Sequence, residues 1–228
     1  MTNQTHEYFA GFAYRDPASA PGTLFEYPLT PEQAIARTGI RNPNAIIASP
    51  PEGWVTVYRS DAPVVPDLHA LHELNPVFNT TLGKWVQSFE VRPMSAEETA
   101  AFIAKVRRDK EIEINMSRTA ANSGFFLFQG KRIACDEVSM KDITITNMFV
   151  LRDGKLPASF PGIWKSKDND YIPIPDTATW NSFFDAVFLQ GSRNFMHSET
   201  LKHRIAQAPT LPEIRIINWN TDTGIPHS

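Results

Sequence analysis

Two hydrophobic periods divide the chain, a strand-like one in the first ninety residues and a helix-like one afterwards. In the first part, the aromatic residues 8–14, the β-branched residues 54–58 and the alternating residues 84–91 predict strands. Residues 76–78 are expected to pair with 84–91 in a hairpin, and residues 45–48 are interpreted as another short strand. The aromatic residues of 8–14 are typical of either a core or a protein interface.

Capping signals locate two helices. Thr30, Pro31 and Gln33 form a helix start, and Gly39 ends the short helix that follows. Ser95 and Glu98 form a second capping box, which begins a helix expected to continue to about residue 118.

The back part alternates hairpins with helices. Residues 125–128 and 132–135 predict a tight hairpin around Gly130, and residues 163–165 and 171–174 predict a second one. Asp136 and Asp176 are expected to cap helices over residues 137–151 and 177–206. The apolar stripe predicted for the last helix comprises Trp180, Phe184, Val187, Phe188, Gly191, Phe195, Leu201 and Ile205.

These elements predict an α+β fold in two domains. Eleven of the 18 prolines precede Ser95, which favours a loop-rich, mostly antiparallel β domain over residues 1–93. An α-ββ-α-ββ-α domain should follow over residues 94–208, and residues 209–228 should form an extended tail. The apolar residues 213–219 of that tail are expected to pair with a sheet of this chain or of another copy.

Composition narrows the classes of function. The formal charge of −3 does not favour nucleic acid, and the single cysteine excludes an intrachain disulfide and a cysteine-built metal site. The first six residues lack the pattern of a secretory signal, and no apolar run reaches the length of a membrane span. We therefore expect a soluble protein made in the cytoplasm.

Clusters that resemble metal sites have simpler structural explanations. His69, His72 and Glu73 lack the i, i+4 histidine spacing of zinc helices, which favours a surface or loop role. The turn Asp168-Asn169-Asp170 lacks the glycine and distant glutamate of a calcium loop. We predict no metal site and no cofactor.

Residues with nucleophilic or acid–base chemistry also favour structural roles. His197 and His203 are six residues apart, so with Ser198 and Glu199 they are interpreted as solvated residues. Cys135 follows an apolar strand and is expected to be a buried, inert thiol. The short basic run, namely Lys105, Arg107, Arg108 and Lys110, interleaves with acidic residues and favours a salt-bridged surface.

The back part resembles a domain-of-unknown-function family found at the carboxyl termini of bacteriophage tail proteins. The resemblance rests on Arg108-Asp109-x-x-Ile112, on Gly124-Phe125 through Cys135-Asp136, and on Trp164-x-x-x-Asp168-Asn169. Phe195 and Leu201-Lys202 resemble the closing segment of the family. Before residue 95, Gly83-Lys84-Trp85 is similar to a strand of tail-fibre-associated proteins.

This resemblance implies a structural component of a phage tail tip, baseplate or tail fibre, without enzymatic activity or catalytic residues. The implied partners are other tail proteins, a host surface receptor and further copies of the chain, with a trimer as the common form. The implied location is the virion tail, after synthesis in the host cytoplasm. The alternatives are a tail-fibre assembly chaperone and an enzyme acting on host glycans. The enzyme needs paired carboxylates, for which only Asp168/Asp170 and Glu97/Glu98 are conspicuous.

Overall fold

A computed structural model describes residues 9–20 and 23–227 of the chain. The first six residues, from which no secretory signal is expected, and Tyr8 of the predicted aromatic strand lie outside these ranges. The chain divides into two compact units, Met1–Thr99 and Ala100–Ser228, whereas the sequence predicted a boundary after residue 93. The fold class is α+β, with a mostly antiparallel β unit followed by a largely helical one.

The first unit contains a five-stranded sheet. Its strands are β1 (Phe9–Tyr14), β2 (Glu26–Leu29), β3 (Trp54–Tyr58), β4 (His69–Asn79) and β5 (Lys84–Pro93). They lie in the order β2-β1-β3-β5-β4, and all neighbours are antiparallel except β3 and β5. The predicted hairpin of residues 76–78 and 84–91 is confirmed, with a first strand that begins seven residues earlier, at His69.

Two short helices pack against this sheet. The predicted capping box of α1 (Pro31–Thr38) is present, and Gly39 ends the helix in the left-handed conformation. The strand predicted at residues 45–48 is wrong, because these residues lie in α2 (Pro43–Ala48). Asn42 caps α2 by accepting a hydrogen bond from the Asn44 amide across 3.0 Å, and Pro43 begins it.

The core of the first unit explains its aromatic residues. Phe12 is fully buried, and it packs against Trp54 and against Ala34 and Ile46 of the two helices. The interface interpretation of the aromatic run is therefore wrong for Phe12, which is a core residue. Phe9 and Tyr14 lie half-buried at the edge of the same core.

The second unit has the predicted order of helices and hairpins, with one added helix. Its elements are α3 (Ala96–Asn122, which begins in the first unit), β6 (Phe125–Phe128), β7 (Lys131–Ala134), α4 (Glu137–Asp153), β8 (Ile163–Lys165), β9 (Tyr171–Pro173), α5 (Thr177–Gln207) and α6 (Leu211–Ile216). The capping box of α3 is confirmed, because Ser95 and Glu98 exchange hydrogen bonds of 2.8 and 3.1 Å. The helix continues about one turn past the predicted end at residue 118.

Both predicted hairpins of the second unit are present and contact each other. Gln129 and Gly130 have φ angles of 49° and 73°, which match the type I′ turn of a two-residue hairpin loop. The amide of Lys167 donates to the carbonyl of Arg132 across 2.8 Å. Arg132 and Lys131 also form ion pairs with Asp168 and Asp170 of the second hairpin.

The extended tail predicted for residues 209–228 is wrong in its central part. Thr210 caps α6 through a capping box with Glu213, and Pro212 occupies its first turn. Three-residue spacing turns Ile214 and Ile217 toward one side, where both are buried with Ile114, Leu201 and Ile205. These apolar residues are covered within their own chain, which removes the basis for an exchanged strand.

Candidate functional site

The histidine–glutamate cluster of the first unit lies on β4. His69 and His72 belong to this strand and not to a loop, and His72 and Glu73 are exposed, which agrees with the expected surface role. Nε2 of His72 lies 2.8 Å from a terminal nitrogen of Arg92, and Glu73 accepts hydrogen bonds from Tyr27 and Gln87. The side chains are thus tied to different partners and do not converge on one point.

His197 and Ser198 are fully buried, so their interpretation as solvated residues is wrong. Nε2 of His197 lies 2.8 Å from the Trp219 carbonyl oxygen, and Nδ1 lies 2.6 Å from Oγ1 of Thr223. Because a carbonyl oxygen only accepts, Nε2 carries the proton and Nδ1 accepts from the Thr223 hydroxyl. Burial lowers the pKa of His197, which favours this neutral form. The two hydrogen bonds of the neutral ring hold the residues after α6 against α5.

Glu199 and His203 are exposed, as predicted. They point away from the buried face that holds His197 and Ser198, because α5 turns by about 100° per residue. The hydroxyl of Ser198 donates to the Phe195 carbonyl across 2.8 Å, as a helical serine commonly does. These four residues therefore do not form a nucleophile–base arrangement.

Cys135 is buried at the end of β7, as the sequence predicted. Burial raises the pKa of its thiol, and the carboxylate of Asp136 acts in the same direction. Both effects keep the sulfur protonated at neutral pH, so it is a weak nucleophile.

The Asp168–Asp170 turn is an ordinary hairpin turn held by charge. Asn169 has a φ of 64°, and the hydroxyl of Ser166 accepts from the amides of Asp168 and Asp170. The hydrogen bonds that Arg132 donates to Asp168 lower the pKa of this carboxyl group. Each carboxylate of the turn faces its own cation, so the pair does not form the acid–base couple of a glycosidase.

The basic run on α3 is divided among separate contacts. Lys105 pairs with Asp109 at 2.6 Å and Lys110 with Glu113 at 3.0 Å, which confirms the salt-bridged surface for these two. Arg107 instead donates to the Ala208 carbonyl across 3.0 Å. Three of the four cations of the run are therefore held in contacts within the second unit, and acidic residues lie among them.

The described residues contain neither a metal-binding cluster nor a membrane-spanning helix. In residues 9–20 and 23–227, no group of three or more histidine, cysteine or acidic side chains could hold a metal ion. Within the same residues, no helix combines the length and the hydrophobicity needed to cross a membrane.

A cavity of about 450 Å³ lies in the first unit, at the ends of β1 and β3. Arg15, Phe25, Trp54 and Trp85 line it, and the guanidinium of Arg15 lies 5.1 Å from the centre of the Phe25 ring. The backbone of Arg15 packs directly against Gly53. A Cβ atom at this position would lie 2.5 Å from the Arg15 carbonyl oxygen, so a larger residue would not fit. None of the described lining residues is acidic, so the cavity offers aromatic faces and donors without an acid–base pair.

The most exposed apolar surface of α5 faces away from its core side. Phe188, Phe195 and Met196 are 70%, 53% and 57% exposed, and with Gly191 and Ser192 they line a shallow depression. We call these five residues the α5 outer face. The predicted stripe was wrong in assigning Phe188 and Phe195 to the core, because Phe183, Asn194 and His197 are buried instead.

A second exposed apolar surface lies on α3. Ile112 and Met116 are 56% and 68% exposed, on the side of the helix opposite the buried Ile114. Polar and small residues continue this surface toward the end of the helix. Exposed apolar residues grouped on a helix face are typical of protein–protein contacts.

The family comparison covers the part of the chain that carries these surfaces. The model of the family described as a domain of unknown function (DUF4376) matches residues 103–219, slightly more than half of the chain. The match includes the whole of α5 and both hairpins of the second unit. No curated protein and no solved structure matches the chain.

Proposed function

The chain belongs to the DUF4376 family of domains of unknown function, and we propose that it is a structural component of a bacteriophage tail tip, baseplate or tail fibre. The α5 outer face carries this proposal. Phe188, Phe195 and Met196 leave a large apolar area in water, and a subunit of a permanent assembly covers such an area with a neighbouring subunit.

The side-chain chemistry supports a binding role and not catalysis. The pKa of the Cys135 thiol is raised, and both ring nitrogens of His197 are engaged in hydrogen bonds. Asp168 and Asp170 form ion pairs with cations. We therefore propose no enzymatic activity. The expected partners are other tail proteins, further copies of this chain and a host surface receptor, and the expected location is the virion tail.

The composition of purified particles tests the proposal. Particles produced from the genome that encodes this chain are banded by density and digested for quantitative mass spectrometry. Peptides of the chain should appear in a fixed ratio to known tail proteins and should remain after a high-salt wash. A major capsid protein serves as the internal reference, and an abundant host protein controls for contamination.

A negative result has a defined meaning. If the lysate contains the chain and the intact particles lack it, the structural role is wrong. The tail-fibre assembly chaperone then becomes the better hypothesis, because it acts during assembly and leaves the fibre.

A further inference from the structure

We infer that the cavity at the ends of β1 and β3 binds an acidic sugar, a uronic or sialic acid residue of a glycan, with its carboxylate on Arg15 and its ring against Trp85. The inference deepens the proposed function, on which it rests for its biological setting, by naming the chemical class of the host receptor. It is carried by the convergence of a guanidinium and two aromatic rings on one cavity.

The topology of the sheet brings the lining residues together. Arg15 directly follows β1, Phe25 directly precedes β2 and Gly53 directly precedes β3. Because β1 runs antiparallel to both of its neighbours, these three residues meet at the same end of the sheet. The sheet also curls, since Tyr27 of one edge strand donates a hydrogen bond to Glu73 of the other. Openings at the ends of rolled sheets are common ligand sites, and a volume of about 450 Å³ suits a small ligand.

Phe25 and Trp85 form the aromatic wall of the cavity. The strands β2 and β5 are separated by β1 and β3 in the sheet, yet the curl brings the two ring centroids to 4.9 Å, with the planes at 71°. Phe78 supports Trp85 from the neighbouring strand, at 5.7 Å between ring centroids, and Trp85 remains half-buried. Because the face of an aromatic ring is negative, it attracts the weakly positive C–H bonds on one side of a sugar ring.

Arg15 and Ser19 supply the polar groups of the cavity. The guanidinium of Arg15 lies 5.1 Å from the centre of the Phe25 ring, and the Arg15 amide donates to the Gly53 carbonyl across 2.9 Å. Among the described residues, neither the Arg15 side chain nor the Ser19 hydroxyl has a hydrogen-bond partner. A guanidinium with free donors binds a carboxylate through two parallel hydrogen bonds, and the serine hydroxyl is available to a hydroxyl of the sugar.

The charges around the cavity favour a ligand with a single negative charge. The acidic residues nearest to the lining residues in sequence do not line the cavity, namely Asp16, Glu26 and Glu52. Glu26 pairs with Arg37 at 2.6 Å, and Asp16 accepts from the Ala18 amide within its own turn. Arg15 is the one cation of the described lining, so it repels cationic ligands and matches one carboxylate better than a doubly charged phosphate.

Binding of a matched pair of sugars to the purified full chain tests the inference. Titrations followed by saturation-transfer NMR should show binding of methyl glucuronide or of the methyl glycoside of sialic acid. Methyl glucoside, which has a hydroxymethyl group in place of the carboxylate of the glucuronide, should bind at least about tenfold more weakly. The inference is overturned if neither acidic sugar binds up to its solubility limit, or if glucuronide and glucoside bind equally.

Substitutions assign the binding to this cavity. Arg15→Gln should weaken the binding of the acidic sugar at least about tenfold, because the amide keeps hydrogen bonding and loses the charge. Arg59→Gln, at an exposed position just after the other end of β3, is the matched control and should leave the affinity unchanged. Trp85→Leu should weaken the binding of acidic and neutral sugars alike, because it removes the aromatic face. Circular dichroism confirms that each variant is folded.

The outcomes separate this inference from the proposed function. An unchanged affinity in folded Arg15→Gln protein, or an equal loss in Arg59→Gln, overturns the assignment of the carboxylate to Arg15. A chain that is present in particles and binds no acidic sugar disproves only the sugar site. A chain that binds the acidic sugar through Arg15 and is absent from particles disproves only the tail role.

Discussion

The imidazole ring of His227 stacks on that of His197, with the ring centroids 3.6 Å apart and the planes 12° from parallel. His197 also lies edge-on to Trp219, at 4.7 Å between ring centroids. The buried histidine thus lies at the centre of the contacts that hold the residues after α6 against α5. These contacts require its neutral form, because a second ring proton would displace the hydrogen bond from Thr223.

Lowering the pH from 8 to 5 should destabilise the protein through His197. Burial lowers its pKa from the ordinary 6.5, so the unfolded chain binds a proton more readily than the folded one. The contribution of the neutral ring to the free energy of unfolding is therefore present above about pH 6.5 and is lost as the pH falls below it. Thermal unfolding followed by circular dichroism measures this loss.

Two variants identify the responsible group. His197→Gln should reduce the dependence of the unfolding temperature on pH, because an amide does not titrate in this range. His203→Gln, at an exposed position of the same helix, should leave the dependence unchanged. An unaltered pH profile in His197→Gln would show that another group is responsible.

Trp180→Ala should be among the most destabilising substitutions in the second unit. The side chain is fully buried, contacts Phe160, Trp164 and Phe183, and donates to Oδ1 of Asn147 across 3.2 Å. Removing it should cost about 3–5 kcal/mol of unfolding free energy, measured by urea denaturation. Phe188→Ala is the control, because it truncates an aromatic residue that is 70% exposed, and it should change the unfolding free energy by less than about 0.5 kcal/mol. Equal losses in the Trp180→Ala and Phe188→Ala variants would contradict the assigned core.

Substituting alanine at two glycines should change stability in opposite directions. Gly191→Ala should stabilise the protein by about 0.5–1 kcal/mol, because alanine is the better helix former and its methyl group meets open space. Gly154→Ala should destabilise it by about 1–2 kcal/mol, because this residue ends α4 with a φ of +67°. Urea titrations of both variants measure these changes, and a gain from Gly154→Ala would contradict the assigned cap.

Cys135 should react slowly with thiol reagents in the native protein. Its sulfur is buried, and burial raises the pKa of the thiol, which reduces the reactive thiolate. Labelling with a chromogenic disulfide reagent at pH 8 should be many times faster for the protein unfolded in urea, where the thiol is exposed, than for the native protein. Equal rates in the two states would show that the site opens readily.

Local chemistry in the sequence determined most of the secondary structure. Thr30, Ser95, Asp136 and Asp176 begin helices as predicted, because a capping side chain needs only the next turn of its own backbone. The hairpin at Gly130 follows from the same kind of local requirement. The two errors of element type, at residues 45–48 and 213–219, arose in short apolar segments where strand and helix periods are hard to distinguish.

The tertiary structure decided which side of each helix is buried. On α5, the sequence offered enough apolar residues for more than one stripe, and packing against the hairpins and α6 selected the side that contains Phe183 and Leu201. The same packing buried the polar His197, because Thr223 and Trp219 come from distant residues to satisfy it. It also left Phe188 and Phe195 in water. Hydrophobicity alone specifies that a residue can be buried, whereas the geometry of its neighbours determines whether it is.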